Sequence, residues 1–190
     1  MSDATITEAP QVLPYAYPLD DFYAQQGLTL PVIDAIPGEE VPEPYRSLLV
    51  HTNDMTPTLE RFHGGLIHVT AMRRQERDSF YYREVVLSRD SDDAPVEFGA
   101  IKINLSLFPQ SARKEILSER IPLGRILAVH KIKHASRPKA YLRVESDDFI
   151  NNALKLTGSH TLYGRRNTLW DTGNHPLAEV VEILPPEPRE

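Results

Sequence analysis

Cysteine is absent from this 190-residue chain. Its absence excludes disulfides, a thiolate nucleophile and a cysteine-bound zinc, and it fits a reducing cytoplasm, the expected location. A basic excess is also missing. The formal net charge is -6, the wrong sign for an electrostatic footprint on nucleic acid. No apolar run approaches the roughly 18 residues that a membrane span needs. No basic stretch followed by an apolar one marks a secretory leader. The expectation is a chain with neither nucleic-acid nor membrane partners. The histidines lack the His-Glu-x-x-His spacing of a zinc site, and neither a Gly-x-Ser-x-Gly elbow nor a glycine-rich phosphate loop occurs. Asp90, Asp92 and Asp93 lack the central glycine and closing glutamate of a calcium loop. No metal and no cofactor is therefore expected. His130 and His134 lie near Lys131 and Lys133 with no acidic residue between them, and read as a solvated basic strand.

What is present is an ordinary globular mixture, 41% apolar and 25% charged, long enough for one domain with a real core. Residues 1–14 read as a loose polar tail, and Leu19 to Gln26 as a short helix. Pro31, Pro37, Pro42 and Pro44 favour an extended arm that covers a sheet edge. The arm, residues 1–44, is set apart from a domain at 45–190. Within that domain Tyr45 to Phe62 looks helical, with Asn53 or Asp54 able to cap a second set of turns. Leu66 to Met72, Phe80 to Ser88 and Val96 to Leu105 read as strands, with a polar turn at Asp90 to Asp93. Pro109 opens a helix that continues through Leu117. Pro122 to Arg125 reads as a turn, and Ile126 to Ile132 and Ala140 to Glu145 as strand-like. Ser146 caps a helix over Asp147 to Leu156. A hairpin closes the chain, with strands at Leu162 to Leu169 and Pro176 to Pro185 around a Gly/Asn turn. The fold class is α+β: a single domain with an antiparallel sheet and flanking helices.

Charge inside the strands is the signal that points to chemistry. In Phe80 to Leu87, side chains alternate between faces. Arg83 shares one face with Tyr81, Val85 and Leu87, and Glu84 shares the other with Phe80, Tyr82 and Val86. At least one face is core, so at least one charge is part-buried and needs a partner. A buried guanidinium suits a carboxylate. For Arg83 that carboxylate is either internal or belongs to a ligand. Arg165 and Arg166 point to opposite faces, as do Glu179 and Glu182, so at most one of each lines a given pocket. Periodicity does not choose between them.

Several stretches, in order, resemble the chorismate pyruvate-lyase family: Asp54-Met55-Thr56, Arg83-Glu84-Val85-Val86-Leu87, Pro122-Leu123-Gly124-Arg125, Gly164-Arg165-Arg166 and the final Pro176-to-Pro185 strand. The resemblance implies a chorismate lyase-like fold with an internal ligand cavity. It also implies a cofactor-independent lyase reaction that splits chorismate, or a close aromatic-acid relative, into 4-hydroxybenzoate and pyruvate. The substrate class is a small anionic aromatic or cyclohexadienyl acid. By position, Arg83 matches the arginine that grips the ring carboxylate and Leu123 the residue whose backbone N–H assists it. Met55 falls at the pocket entrance, and Gly124 and Arg166 fall among the substrate-binding positions. The family's C-terminal glutamate falls on Glu182 or, one residue earlier, opposite Val181, and such a slip reverses the strand face. Ser146 to Thr161 is longer than in the compact enzymes and is placed to cap or reshape the pocket. The same fold resembles effector-binding domains of winged-helix transcription regulators, which makes a non-catalytic small-molecule binder the alternative. A related enzyme for another carboxylated substrate is a third reading.

Overall fold

A computed structural model describes residues 14–187; the loose-tail expectation for 1–14 lies almost wholly outside them. Its centre is one antiparallel sheet of seven strands in the order β1-β5-β6-β7-β4-β3-β2. In chain order these are β1 (Ile33–Ile36), β2 (Ile67–Arg77), β3 (Phe80–Arg89), β4 (Pro95–Asn104), β5 (His134–Glu145), β6 (Thr161–Asp171) and β7 (Pro176–Leu184). The α+β expectation holds. β7, the last element, inserts between β6 and β4. The C-terminal hairpin is therefore central in the sheet, and its charges cannot reach solvent at an edge.

Helices cover both faces. On the back face lie α1 (Leu19–Gln25) and α6 (Asp148–Leu154). Leu19, Phe22 and Tyr23 of α1 join Ile150 and Leu154 of α6 over Phe98, Val181 and Ile183. Tyr23 donates to the Asp147 carboxylate at 2.9 Å, and Asp147 also accepts from the Ile150 N–H as the cap of α6. Asp147, rather than Ser146, caps this helix. The 146–161 segment thus serves the back face and does not reach the cavity described below. On the front face lie α2 (Tyr45–Leu49), α3 (Met55–His63), α4 (Gln110–Ser118) and α5 (Leu123–Val129). They form two separate apolar clusters. One gathers α2 and α3 over Val69, Val85 and Leu87, and the other gathers α4 and α5 over Ile101, Leu169 and Val180.

One expectation needs correction here. The segment read as a turn followed by a strand, Pro122 to Ile132, is the helix α5. Its buried residues Leu123, Ile126 and Leu127 follow the i, i+3, i+4 spacing of one helix face, which a continuous apolar run conceals. Tyr45 to Phe62 forms two helices, and Asp54 stands at the start of the second, as one of the two expected cap positions. The intervening backbone is held open by Arg165, which donates to the carbonyls of Leu49, His51 and Asn53 at 3.4, 3.2 and 3.2 Å. Within the proline-bearing segment, β1 pairs with β5 at the sheet edge.

Candidate functional site

The gap between the two front-face clusters is a cavity with about 590 Å³ of unfilled space, its mouth included. Its floor is the sheet, apolar at both ends: Val69, Val85 and Leu87 toward α2 and α3, and Ile101, Leu169 and Val180 toward α4 and α5. Met55 and Thr56 of α3 and Leu123 and Gly124 of α5 close over it. These two helices meet tightly at Gly124, where a Cβ would lie 3.1 Å from Thr56 Oγ1. A side chain there requires Thr56 to yield by a few tenths of an ångström.

Arg83 projects from β3 into this cavity and is 2% exposed. Its Nη1 reaches only the Ile116 carbonyl, at 3.4 Å, and its Nε has no hydrogen-bond partner. Among the described residues no carboxylate forms an ion pair with it. Glu119, the acidic group that acts on it electrostatically, is held by the Tyr81 hydroxyl and by Arg74. Burial pushes the Arg83 guanidinium below the usual arginine value, against the pull of Tyr81 and Glu119. Arginine still stays charged. A buried, charged fork without an anion is costly, so of the two readings the sequence leaves open, the internal carboxylate is not the one found.

A second charged group closes the other end. Glu182 faces the cavity and bonds the Arg165 Nε at 2.5 Å, while Val181 lies in the back-face core. The register Arg165↔Glu182 and Arg166↔Val181 fixes these faces. Arg165 is fully buried, and its remaining N–H groups are spent on the backbone carbonyls of the α2–α3 break and on His51. His51 stays low in pKa through burial first and Arg165 second, with Leu48, Glu182 and Asn53 acting the other way. Glu97 of β4, 4% exposed, lies beside this pair and lines the same cavity. Its Oε2 has no partner. Burial, then the neighbouring Glu182, push its carboxyl well above the ordinary carboxylate range, and Arg165 acts against them.

Of the residues singled out from sequence, Met55, Arg83, Leu123, Gly124 and Glu182 line one cavity. Arg166 does not. It is on the back face, 3% exposed, and bonds Glu179 at 2.8 Å, with Lys102 on the same carboxylate at 3.3 Å. Alternation puts its neighbour Arg165 in the site instead. Glu97, Asn167 and Asp54 also line the cavity and were not anticipated. The signal for Glu97 is a lone charge between Val96 and Phe98 in a strand otherwise apolar to Ile101. The solvated reading of His134 is also corrected. It bonds the Asp54 carboxylate at 2.9 Å, and that bond holds its pKa up against burial. His134, Asp54 and Ser136 border a wider, open pocket of about 800 Å³ outside the cavity. Asn167, whose amide donates to Ser136 Oγ at 2.8 Å, stands between the two spaces.

A scan against protein-family models finds no match, and a search of curated proteins finds none. Among solved structures the chain is similar to PhnF from Mycobacterium smegmatis, with TM-score 0.53 and 10% identity, over 90% of this chain and 94% of that one. It is similar to the effector domain of PhnF, with TM-score 0.52 and 10% identity, over 69% and 87% of the two chains. It is also similar to the possible transcriptional regulator YydK from Bacillus subtilis, with TM-score 0.53 and 10% identity, over 88% and 91%. The fold is thus similar to that of the effector domain of PhnF. Identities this low carry the fold and leave the chemistry to the site. Among the described residues, no helix is long and apolar enough to cross a membrane.

Proposed function

We propose that this chain is a small-molecule binding domain whose cavity takes an anionic ligand, with Arg83 as the anion's partner. One observation carries the reading: a guanidinium 2% exposed, aimed into a largely apolar cavity, with no ion pair among the described residues. A ligand carboxylate or phosphate supplies the missing charge, and the apolar lining buries its body. The resemblance to the chorismate lyase family supports the same assignment, since it puts the carboxylate grip at Arg83 and Leu123. The effector-domain neighbours favour binding over turnover.

Lyase activity on chorismate is the second reading. It is supported by the presence of Arg83, Leu123 and Glu182 around one cavity. Against it stands the engagement of Glu182 by Arg165, which leaves that carboxylate little freedom for a second role. Titration calorimetry with chorismate, 4-hydroxybenzoate and benzoate tests the first reading. Arg83→Ala is expected to weaken carboxylate binding by about 10- to 150-fold, the worth of one charge-assisted contact. Equal affinity in a folded Arg83→Ala protein removes Arg83 from the site. Chromatography of the chorismate mixture decides the second reading: 4-hydroxybenzoate and pyruvate produced together establish a lyase, and intact chorismate leaves a binder.

A further inference from the structure

The two ends of the cavity have unequal charge stoichiometry. At one end is a guanidinium with no carboxyl partner among the described residues, Arg83. At the other are two carboxyl groups, Glu97 and Glu182, and one guanidinium, Arg165. Arg165 is committed to Glu182 and to backbone carbonyls, so Glu97 is left over. Its Oε2 is buried with no partner, as is the Nε of Arg83. Glu97 stands opposite Leu87 in the β3–β4 ladder, and Arg83 opposite Ile101. The two backbone positions are four residues apart along the strands, about 13 Å. Between them Gly99 presents no side chain; a Cβ there would meet the Val181 carbonyl oxygen at 2.8 Å.

We propose that the cavity is built for a zwitterion, with the anionic group on Arg83 and a cationic group on Glu97. This inference rests on the anion-binding reading and adds the class of ligand. The charged groups around Glu97 are Glu182 on β7 and Arg165 on β6. Arg83 on β3 and Asp54 before α3 line the same cavity, and His51 sits behind Arg165. Asp54 is paired with His134, so a second ligand cation finds no other free carboxyl among these groups. With the site empty, a proton on Glu97 avoids a second buried anion beside Glu182. A ligand ammonium or amidinium takes over that role, and the proton leaves to solvent. A plain carboxylate satisfies Arg83 but gives Glu97 nothing.

The test uses three probes of one shape: 4-(aminomethyl)benzoate, which carries both charges, 4-methylbenzoate, which lacks the cation, and benzylamine, which lacks the anion. Calorimetry at pH 7 in buffers of different ionisation enthalpy reads affinity and proton release together. The expected result is that 4-(aminomethyl)benzoate binds about 10- to 150-fold tighter than 4-methylbenzoate and releases a proton, while 4-methylbenzoate releases none. The preference and the proton release vanish in Glu97→Gln. Proton release by the unmodified protein needs no variant, so it remains decisive if the substitution does not fold. Equal or tighter binding of 4-methylbenzoate overturns the zwitterion and leaves the anion site standing. Preference retained in a folded Glu97→Gln protein overturns the role of Glu97. Failure of both carboxylates to bind overturns the anion reading and this one together.

Discussion

The two faces of the C-terminal hairpin carry nearly the same charges and differ in what surrounds them. On the back face Arg166 and Lys102 share Glu179, under α1 and its neighbouring Tyr17, whose ring lies within 6.0 Å of Arg166 and 5.5 Å of Lys102. These three charges all have partners. On the front face Arg165 holds Glu182 as closely, yet Glu97 and Arg83 beside the same cavity are left incomplete. Buried charge in a strand is therefore not by itself a sign of a site. What separates a structural ion pair from a binding group is an unmet valence next to empty space.

The comparison is broken most severely by removing a carboxylate on the closed side. Glu179→Met strands Arg166 and Lys102 together, and breaking a buried pair from one side costs about 3–5 kcal/mol. The melting temperature is expected to fall by several degrees, while the affinity of the remaining folded protein for benzoate stays unchanged. A change in that affinity would show that the faces are coupled through the sheet. On the open side the analogous substitution has the opposite sign. Arg83→Met removes a buried charge that has no partner, so stability is expected to rise by about 0.5–2 kcal/mol as carboxylate binding is lost. Differential scanning calorimetry on the two variants decides it: a drop in both means that Arg83 is structural after all.

These opposite signs also explain what could be read from the sequence. Strand alternation in Phe80 to Leu87 and the hairpin was enough to identify buried charge, and order along the chain was enough to align Arg83, Leu123 and Glu182 with one cavity. Which arginine of the Arg165-Arg166 pair faces it was not legible, because parity needs a reference and the reference is the pairing of β6 with β7. α5 was missed because an apolar run of its length carries both periods until burial selects one. Glu97 was passed over because a single carboxylate in a strand is chemically silent until Glu182 arrives beside it from eighty-five residues away.

Glu97 gives a smaller effect that sharpens the contrast. Its carboxyl is raised by burial and by Glu182. A group raised in the folded state holds more protons than in the unfolded one, so its contribution is full below the unfolded carboxylate value and is lost as pH rises through the folded value. Glu97→Gln keeps the shape of the protonated acid and cannot ionise. Its melting temperature is expected to match the wild type near pH 4 and to exceed it increasingly at higher pH. A variant less stable at every pH would mean that Glu97 works as an ionised partner of Arg165.

The smallest effect belongs to His134 in the outer pocket, where the charge is paired rather than stranded. Its raised pKa comes first from the hydrogen bond to Asp54 and is opposed by burial. The stabilisation is complete below the unfolded histidine value, about 6.5, and fades as pH rises through the folded value. The wild type thus loses stability with rising pH through both groups, which a melting curve of wild type alone does not resolve. The variants do, because their signs differ. His134→Gln is expected to be less stable than wild type by about 0.2–1 kcal/mol at pH 5.5 and to converge on it by pH 9. Glu97→Gln starts level and diverges upward. If His134→Gln instead shows a deficit that does not depend on pH, the Asp54 bond acts through a neutral imidazole, and the pH dependence of this protein traces to the interior of the cavity rather than to the outer pocket.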